Sequence, residues 1–292
     1  MPPLPQKRHF FLTPKMKIDL SKIRHVALDM DGTIYKGGTL FDFTKPFLSL
    51  LHELGIGYTF LTNNPSKSVE DYLKHLQKMG IEADETQLYT STHCTIEFLE
   101  KQYPASKRIF VLGTSSMYEQ FAEAGFIFTE DNQLDEPDLV VVAFDLMLTY
   151  QKLCRAAYWI KMGKPFVATN PDFVCPTDQP TVLVDCGSIC ACLQAATGIA
   201  PTKVLGKPDP EMLRGILAHH SLQPHELAMV GDRIYTDVAM AQRAGAMSVL
   251  VLTGEATAED AAKSNPPPDL VLHSLKELGA KLRAAKSEVV PA

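Results

Sequence analysis

Asp29 and Asp31 lie one residue apart, directly after the apolar run Val26-Ala27-Leu28 and before a Gly32-Thr33 turn. The apolar run reads as the end of a buried strand. Side chains along a strand alternate with period two, so both carboxylates can point the same way if strand geometry continues through them. Two like charges held that close repel, and their pKa values should be pushed apart. A cation, or a proton on one acid, relieves the repulsion. Such a pair suits a site in which one carboxylate attacks and the other donates a proton. An Asp-Gly turn carrying a spare acid is the plainer alternative.

The remaining chain repeats the pattern of strand, helix and loaded strand end. A helix carrying Phe47, Leu48, Leu51 and Leu54, capped by Asp42 or Thr44, leads to the apolar stretch Tyr58–Leu61 and then to Thr62-Asn63-Asn64. Ser68 opens the next helix with Asp71 three residues on, and Gly80 closes it. This alternation predicts α/β architecture with a parallel sheet and covering helices. Strands are expected at Arg108–Gly113, Leu139–Phe144 and Phe166–Asn170, with helices at Ser115 to Gly125, Tyr150–Met162 and about Gly187–Thr197. The continuous apolar run at Leu139 is what a central parallel strand needs. This middle block has its own α/β pattern and reads as a separate domain.

The chain then returns to Gly206-Lys207-Pro208. Asp209 with Pro210 reads as an N-cap followed by a first-turn proline. Leu227–Val230 is a short strand that runs into Gly231-Asp232-Arg233, with Asp237 five residues beyond Asp232. A helix to Gly245, a strand at Ser248–Leu252 and a last strand at Leu270–Leu272 complete the pattern. The final dozen residues read as frayed.

Bulk properties exclude several classes. The 292 residues are 46% hydrophobic and 21% charged, with a net charge of -6. That balance argues against a general nucleic-acid binder. No apolar stretch approaches the roughly 20 residues of a membrane span. Met1–Lys17 is rich in Pro and basic residues, and its only apolar cluster, Phe10-Phe11-Leu12, is too short for a signal-peptide core. A cytoplasmic protein is expected. Three of the six cysteines fall in Cys186-Gly-Ser-Ile-Cys190-Ala-Cys192, which matches no zinc spacing and reads as small buried residues on an Ala-rich helix in a reducing compartment. No Gly-x-Gly-x-x-Gly follows the first strand, which disfavours a dinucleotide-binding oxidoreductase.

Asp29, Asp31, Thr62, Asn63 and Asp232 all fall just past the C-terminal ends of apolar strands. In an open parallel sheet that edge binds ligands. Carboxylates alone would repel a phosphate. With a divalent hard cation such as Mg²⁺, the same set becomes a phosphate site: oxygen ligands hold the metal, while Lys207, Thr62 and Asn63 hold the phosphoryl oxygens.

Asp29-Met30-Asp31-Gly32-Thr33, Thr62-Asn63-Asn64, Gly206-Lys207-Pro208 and Gly231-Asp232-Arg233 with Asp237 together resemble the four ordered motifs of the haloacid dehalogenase (HAD) superfamily. The middle block, with Ala168-Thr169-Asn170-Pro171-Asp172 and Ala195-Ala196-Thr197-Gly198, is similar to the cap of its NagD-like, nitrophenyl, pyridoxal and phosphoglycolate phosphatase subfamily. The resemblance implies a Rossmann-like doubly wound core with an inserted smaller α/β cap. On that reading residues 1–16 are a tail, 17–104 and 201–285 the core, 105–200 the cap, and 286–292 a frayed end.

The resemblance also implies roles. Asp29 is the nucleophile and Asp31 the general acid and then base. Thr62, Asn63 and Asn64 bind the phosphoryl group, and Lys207 holds nucleophile and phosphoryl together. Asp29 and Asp232 ligate Mg²⁺ by side chain and Asp31 by its carbonyl, with Asp237 orienting the metal site from behind. Asn170 and Asp172 face the substrate or simply end a strand. The expected partner is a small phosphorylated metabolite, with a homodimer through the cap. Val182–Ser188 departs from the Gly-rich stretch usual before the cap's small-residue helix, so substrate identity does not carry over. Competing readings are a phosphomutase or phosphotransferase, a receiver-type phospho-accepting signalling protein, and a non-catalytic phospholigand binder. His93, His219 and His220 read as surface or satisfied residues, and Trp159 as core or a cap–cap contact rather than a substrate stacker.

Overall fold

Every side chain of His25–Asp29 is buried, and this strand, β1, sits inside the main sheet. The computed structural model describes residues 19–63, 68–175 and 180–288. The tail at Met1–Lys17, and Asn64 with its expected phosphoryl contact, lie outside them.

Strands β2 (Tyr35–Lys36) and β3 (Thr39–Leu40) form a small antiparallel hairpin after β1. Helix α1 (Thr44–Glu53) leads into β4 (Gly57–Thr62), and α2 (Val69–Lys78) leads into β5 (Leu88–Thr90). The Ser68/Asp71 capping box forms as its spacing predicts. At α1 the expected cap does not form. Phe43 occupies the cap position, and the Thr44 hydroxyl donates instead to the Ile34 carbonyl at 2.6 Å.

Helix α3 (Ser91–Gln102) carries the chain into the second domain. There β6 (Arg108–Leu112), α4 (Ser115–Glu123), β7 (Ile127–Phe128), β8 (Leu139–Val142), α5 (Tyr150–Lys161), β9 (Phe166–Ala168), the hairpin β10 (Val174–Cys175) and β11 (Leu183–Val184), α6 (Cys186–Thr197) and β12 (Lys203–Val204) follow. The five-stranded sheet of this domain is parallel, in the order β12-β9-β8-β6-β7. Its last strand lies beyond residue 200, so the sheet extends past the expected boundary. Trp159 is buried among Phe110, Val140, Phe166 and Leu193, as a core residue of this domain. Cys94, Cys175, Cys186 and Cys190 are buried, whereas Cys154 and Cys192 are exposed.

The core resumes with α7 (Glu211–His219), β13 (Leu227–Gly231), a π-helical turn at Ile234–Val238, α8 (Ala239–Ala244), β14 (Met247–Val251), α9 (Ala258–Lys263), β15 (Leu270–Leu272) and α10 (Leu275–Ser287). Its six-stranded parallel sheet has the order β15-β14-β13-β1-β4-β5. The helix after Asp209 starts one residue later than expected, but Asp209 still accepts the Glu211 N–H at 3.0 Å. The reading of the last dozen residues as frayed is corrected by α10. Leu275, Leu278 and Leu282 bury one side of it against the core that contains Phe47 and Leu51 of α1, so tertiary packing orders the chain as far as Ser287.

Both faces of the core sheet are covered. One apolar cluster joins Val26, Leu28, Phe60 and Val230 to α1, α2 and α10. The other runs from Ala27 and Leu61 through Leu205 and Met212 into Val111, Val141 and Val167 of the second sheet. Among the described residues no helix is long and apolar enough to cross a membrane.

Candidate active site

The sheet order places β1 between β13 and β4, so Asp29, Thr62 and Asp232 emerge side by side at one edge. Asp29 ends β1 paired across to Leu61. Strand geometry stops there: the Met30 carbonyl accepts N–H groups from Thr33 and Ile34 in a tight turn. Asp31 therefore reaches the same cleft by a different route. It pairs with Tyr35 in an isolated bridge, its carboxylate accepts the Gly37 N–H at 3.0 Å, and it is exposed where Asp29 is buried.

Lys207 arrives from the loop after β12. Its ammonium contacts Asp29 Oδ1 and lies 2.9 Å from Asp237 Oδ1. Burial opposes the charge on Lys207, but Asp237 and Asp29 outweigh it and raise its pKa. Asp237 also accepts the Arg233 N–H at 3.2 Å and the Thr236 hydroxyl at 3.3 Å, so the π-helical turn aims it back at Lys207. The expected regular helix would not begin this way; π turns recur at functional sites.

Asp232 keeps one carboxylate oxygen without a protein partner. Its Oδ2 accepts the Glu255 N–H at 2.7 Å, while its buried Oδ1 has no hydrogen-bond partner among the described residues. Burial, then the charges of Asp29 and Asp237, pushes its pKa up to about 7. Oxygens of Asp29, Asp232 and Asp237 lie within 4.8 Å of one another. An all-carboxylate donor set with one unsatisfied oxygen fits a hard divalent cation.

Thr62 is half-buried at the end of β4, with its hydroxyl 3.4 Å from the Tyr72 hydroxyl. The Asn63 side-chain amide is bonded within the protein. Its Oδ1 accepts the Lys207 N–H at 2.6 Å, and its Nδ2 donates to the Lys207 carbonyl and to Asp172 Oδ2, both at 3.0 Å. An amide has two N–H donors, and both are spent. Asn170 is wholly buried, donating to Asp172 Oδ2 at 3.2 Å and to Asp185 Oδ1 at 3.3 Å. Asp172 lines the cleft. The Thr62-Asn63 and Asn170-x-Asp172 strings mark strand ends, but nothing in them signals that they bond to each other.

The cleft has a volume of about 980 Å³ and lies between the two domains. Asp29, Asp31, Thr62 and Lys207 line its core side, and Phe173 and Val174 its cap side. That size suits a small ligand. At its rim Arg233 Nε sits 3.0 Å from Glu255 Oε2, which also accepts the Tyr235 hydroxyl at 3.1 Å. Sequence reasoning missed Glu255, although Thr253-Gly254 ends a strand at the same sheet edge.

A family model described as haloacid dehalogenase-like hydrolase matches residues 26–127, and a second, HAD-hydrolase-like, matches 204–278. Together they span more than half of the chain and enclose Asp29, Asp31, Thr62, Asn63, Lys207, Asp232 and Asp237. The chain belongs to the haloacid dehalogenase-like hydrolases. Within that family it sits with the NagD-like phosphatases. An acid sugar phosphatase of Staphylococcus aureus (strain USA300) is 32% identical over 263 residues, covering 90% of this chain and 99% of its own. The 4-nitrophenylphosphatase of Thermotoga maritima superposes with a TM-score of 0.83 at 38% identity, over 89% of this chain and 98% of its own. A glycerol phosphate phosphatase from Mycobacterium tuberculosis, solved in complex with magnesium, gives 0.80 at 30% identity over 89% and 78%. The HAD core is thus the sheet centred on β1, and the inserted domain is its cap.

Proposed function

We propose that this HAD-family phosphatase is a Mg²⁺-dependent phosphomonoesterase that works through an aspartyl-phosphate on Asp29. The observation that carries the reading is the convergence of Asp29, Lys207, Asp232 and Asp237 at one sheet edge, with a buried Asp232 oxygen lacking a partner. Asp29 and Asp232 would hold the cation by side chain, with the Asp31 carbonyl beside them. When bound, the cation neutralises charge on the transferring phosphoryl group.

The protein's own groups do the rest. A carboxylate oxygen of Asp29 attacks phosphorus, and the bond from phosphorus to the ester oxygen breaks. The electron pair leaves with that oxygen, which takes a proton from Asp31. Asp31 then accepts a proton from water, whose oxygen attacks phosphorus. The bond from phosphorus to Asp29 breaks, releasing inorganic phosphate and restoring the carboxylate. Lys207 holds Asp29 in line and balances the phosphoryl charge, and the Thr62 hydroxyl orients a phosphoryl oxygen. Phosphoryl transfer needs this positioning and neutralisation more than elaborate covalent chemistry. Asp237 keeps Lys207 aimed. The cap closes the cleft against a small phosphorylated metabolite, and similarity to an acid sugar phosphatase and a glycerol phosphate phosphatase supports trying sugar and glycerol phosphates first.

The test is p-nitrophenyl phosphate hydrolysis with Mg²⁺ and with excess EDTA, wild type beside Asp29→Asn. Mg²⁺-dependent release by wild type alone is expected. Equal release by a purified, folded Asp29→Asn protein removes Asp29 as nucleophile. Asp31→Asn is expected to accumulate acid-stable phosphoenzyme, and normal turnover removes it as acid and base.

A further inference from the structure

The Asn63 amide joins three segments that are far apart in the chain. It grips the Lys207 main chain from both sides, through the N–H at 2.6 Å and the carbonyl at 3.0 Å. Its remaining N–H goes to Asp172 Oδ2 on the cap, at 3.0 Å. The same Asp172 oxygen accepts from Asn170 at 3.2 Å, and Asn170 passes its other N–H to Asp185. Asp185 in turn caps α6, its Oδ1 accepting the Cys186 N–H at 2.6 Å. A continuous chain of amide and carboxylate groups therefore runs from a cap helix to the main chain of Lys207.

The joint is also closely packed. Gly206, next to Lys207, has φ +72, and a Cβ there would stand 2.8 Å from the Thr169 carbonyl and 2.9 Å from Asn63 Oδ1. Cap strand end, core strand end and Lys207 loop meet with no room for a side chain. Nothing in this geometry requires Asp172 to touch a substrate, although it lines the cleft.

We propose that Asp172 is a positioning residue: it locks the Asn63 amide in the orientation that fixes the Lys207 main chain, so that the seated cap sets the aim of the Lys207 ammonium. This rests on the reading of Lys207 as part of the phosphoryl-transfer site. Asp172 acts through one acceptor oxygen and not through its charge, since both amides donate to Oδ2. An asparagine keeps that oxygen. A carboxylate that bound substrate would instead be disabled by the same change.

The experiment compares wild type, Asp172→Ala and Asp172→Asn as full-length, Mg²⁺-loaded proteins, with two readouts. Hydrogen–deuterium exchange reads the Lys207 amide, which donates to Asn63. Steady-state kinetics use acetyl phosphate and p-nitrophenyl phosphate, whose leaving groups differ greatly in size. Asp172→Ala is expected to speed exchange at Lys207 and to lower kcat about tenfold on both substrates, the scale of one lost hydrogen bond. Asp172→Asn recovers most of both. Unchanged exchange in Asp172→Ala overturns the proposal, as does an Asp172→Asn as impaired as Asp172→Ala with the loss in KM. If Asp172→Ala does not fold, Asp172→Ser, whose shorter side chain withdraws the acceptor from the Asn63 Nδ2 but leaves the Asn63 bonds to Lys207 in place, carries the same expected and overturning exchange results. The exchange readout stands even if no phosphomonoester is turned over, which separates failure of this proposal from failure of the proposed function.

Discussion

Lys207 and Asp237 form an ion pair of 2.9 Å in which the aspartate side chain is 1% exposed and the lysine side chain 8%. The same ammonium contacts Asp29. One buried cation thus offsets two of the three carboxylates gathered at the sheet edge. Lys207→Met removes it and leaves Asp29, Asp232 and Asp237 facing one another. Breaking a buried pair by deleting one partner costs about 3–5 kcal/mol. Denaturant unfolding in EDTA is expected to show a loss on that scale, alongside loss of turnover. A loss below about 1 kcal/mol would mean the pair is not buried in solution.

Metal removal should be read in stability as well as in rate. The unpartnered Asp232 oxygen and the clustered acids make the metal-free site unfavourable. Mg²⁺ at a hundredfold excess over its Kd stabilises by roughly 2.7 kcal/mol. The melting temperature is expected to rise with Mg²⁺ in wild type and to stay still in Asp232→Asn. A Mg²⁺ response of equal size in Asp232→Asn would place the cation elsewhere.

His25 sets a separate dependence on pH. Burial, with a smaller contribution from stacked His220, lowers its pKa to about 3. The unfolded value is about 6.5. Above 6.5 both states are neutral there, and the full stability is present. Below 6.5 the unfolded chain binds a proton that the native one refuses, so stability falls as pH drops towards 3. The slope is about 1.4 kcal/mol per pH unit, or roughly 2 kcal/mol between pH 6.5 and 5. Unfolding free energies of His25→Asn at pH 7 and pH 5 should differ by about that much less than in wild type. Parallel curves would show that His25 is not a neutral buried group. The raised Asp232 and Asp237 act in the opposite direction in both proteins, and cancel in the comparison.

Much of this was legible in the chain because local chemistry and global fold agree. Continuous apolar strands such as Leu139–Val142 have one use, the inside of a parallel sheet, and the polar residues that follow them land at its edge. The HAD motifs carried the core assignment. What stayed hidden depends on long-range contact. The motif Thr62-Asn63-Asn64 implies a phosphoryl contact but gives no sign of the Asn63 side chain's partners, which are 109 and 144 residues away. Helix α10 reads as frayed because its last turns are Ala and Lys, and only packing of Leu282 orders them. The Thr44 hydroxyl abandons the cap role because a carbonyl at Ile34 is nearer in space.

The proposed metal site has one more support that no charge count shows. Gly254 stands directly behind Asp232: a Cβ at 254 would come within 2.7 Å of the Asp232 Cβ. The next N–H along, that of Glu255, is the one that holds Asp232 Oδ2. Gly254→Ala changes no charge and deletes no ligand, yet it must push the Asp232 side chain off its position. Outer supports of metal ligands are worth about 10–100-fold in affinity. The apparent Mg²⁺ affinity of Gly254→Ala, read by titrating activity with metal, is expected to fall by that factor, with turnover at saturating Mg²⁺ recovering in part. The added methyl also overpacks a tight site, at a cost of about 1–3 kcal/mol. A variant with wild-type Mg²⁺ affinity would show that the loop yields and that Asp232 is not held from behind.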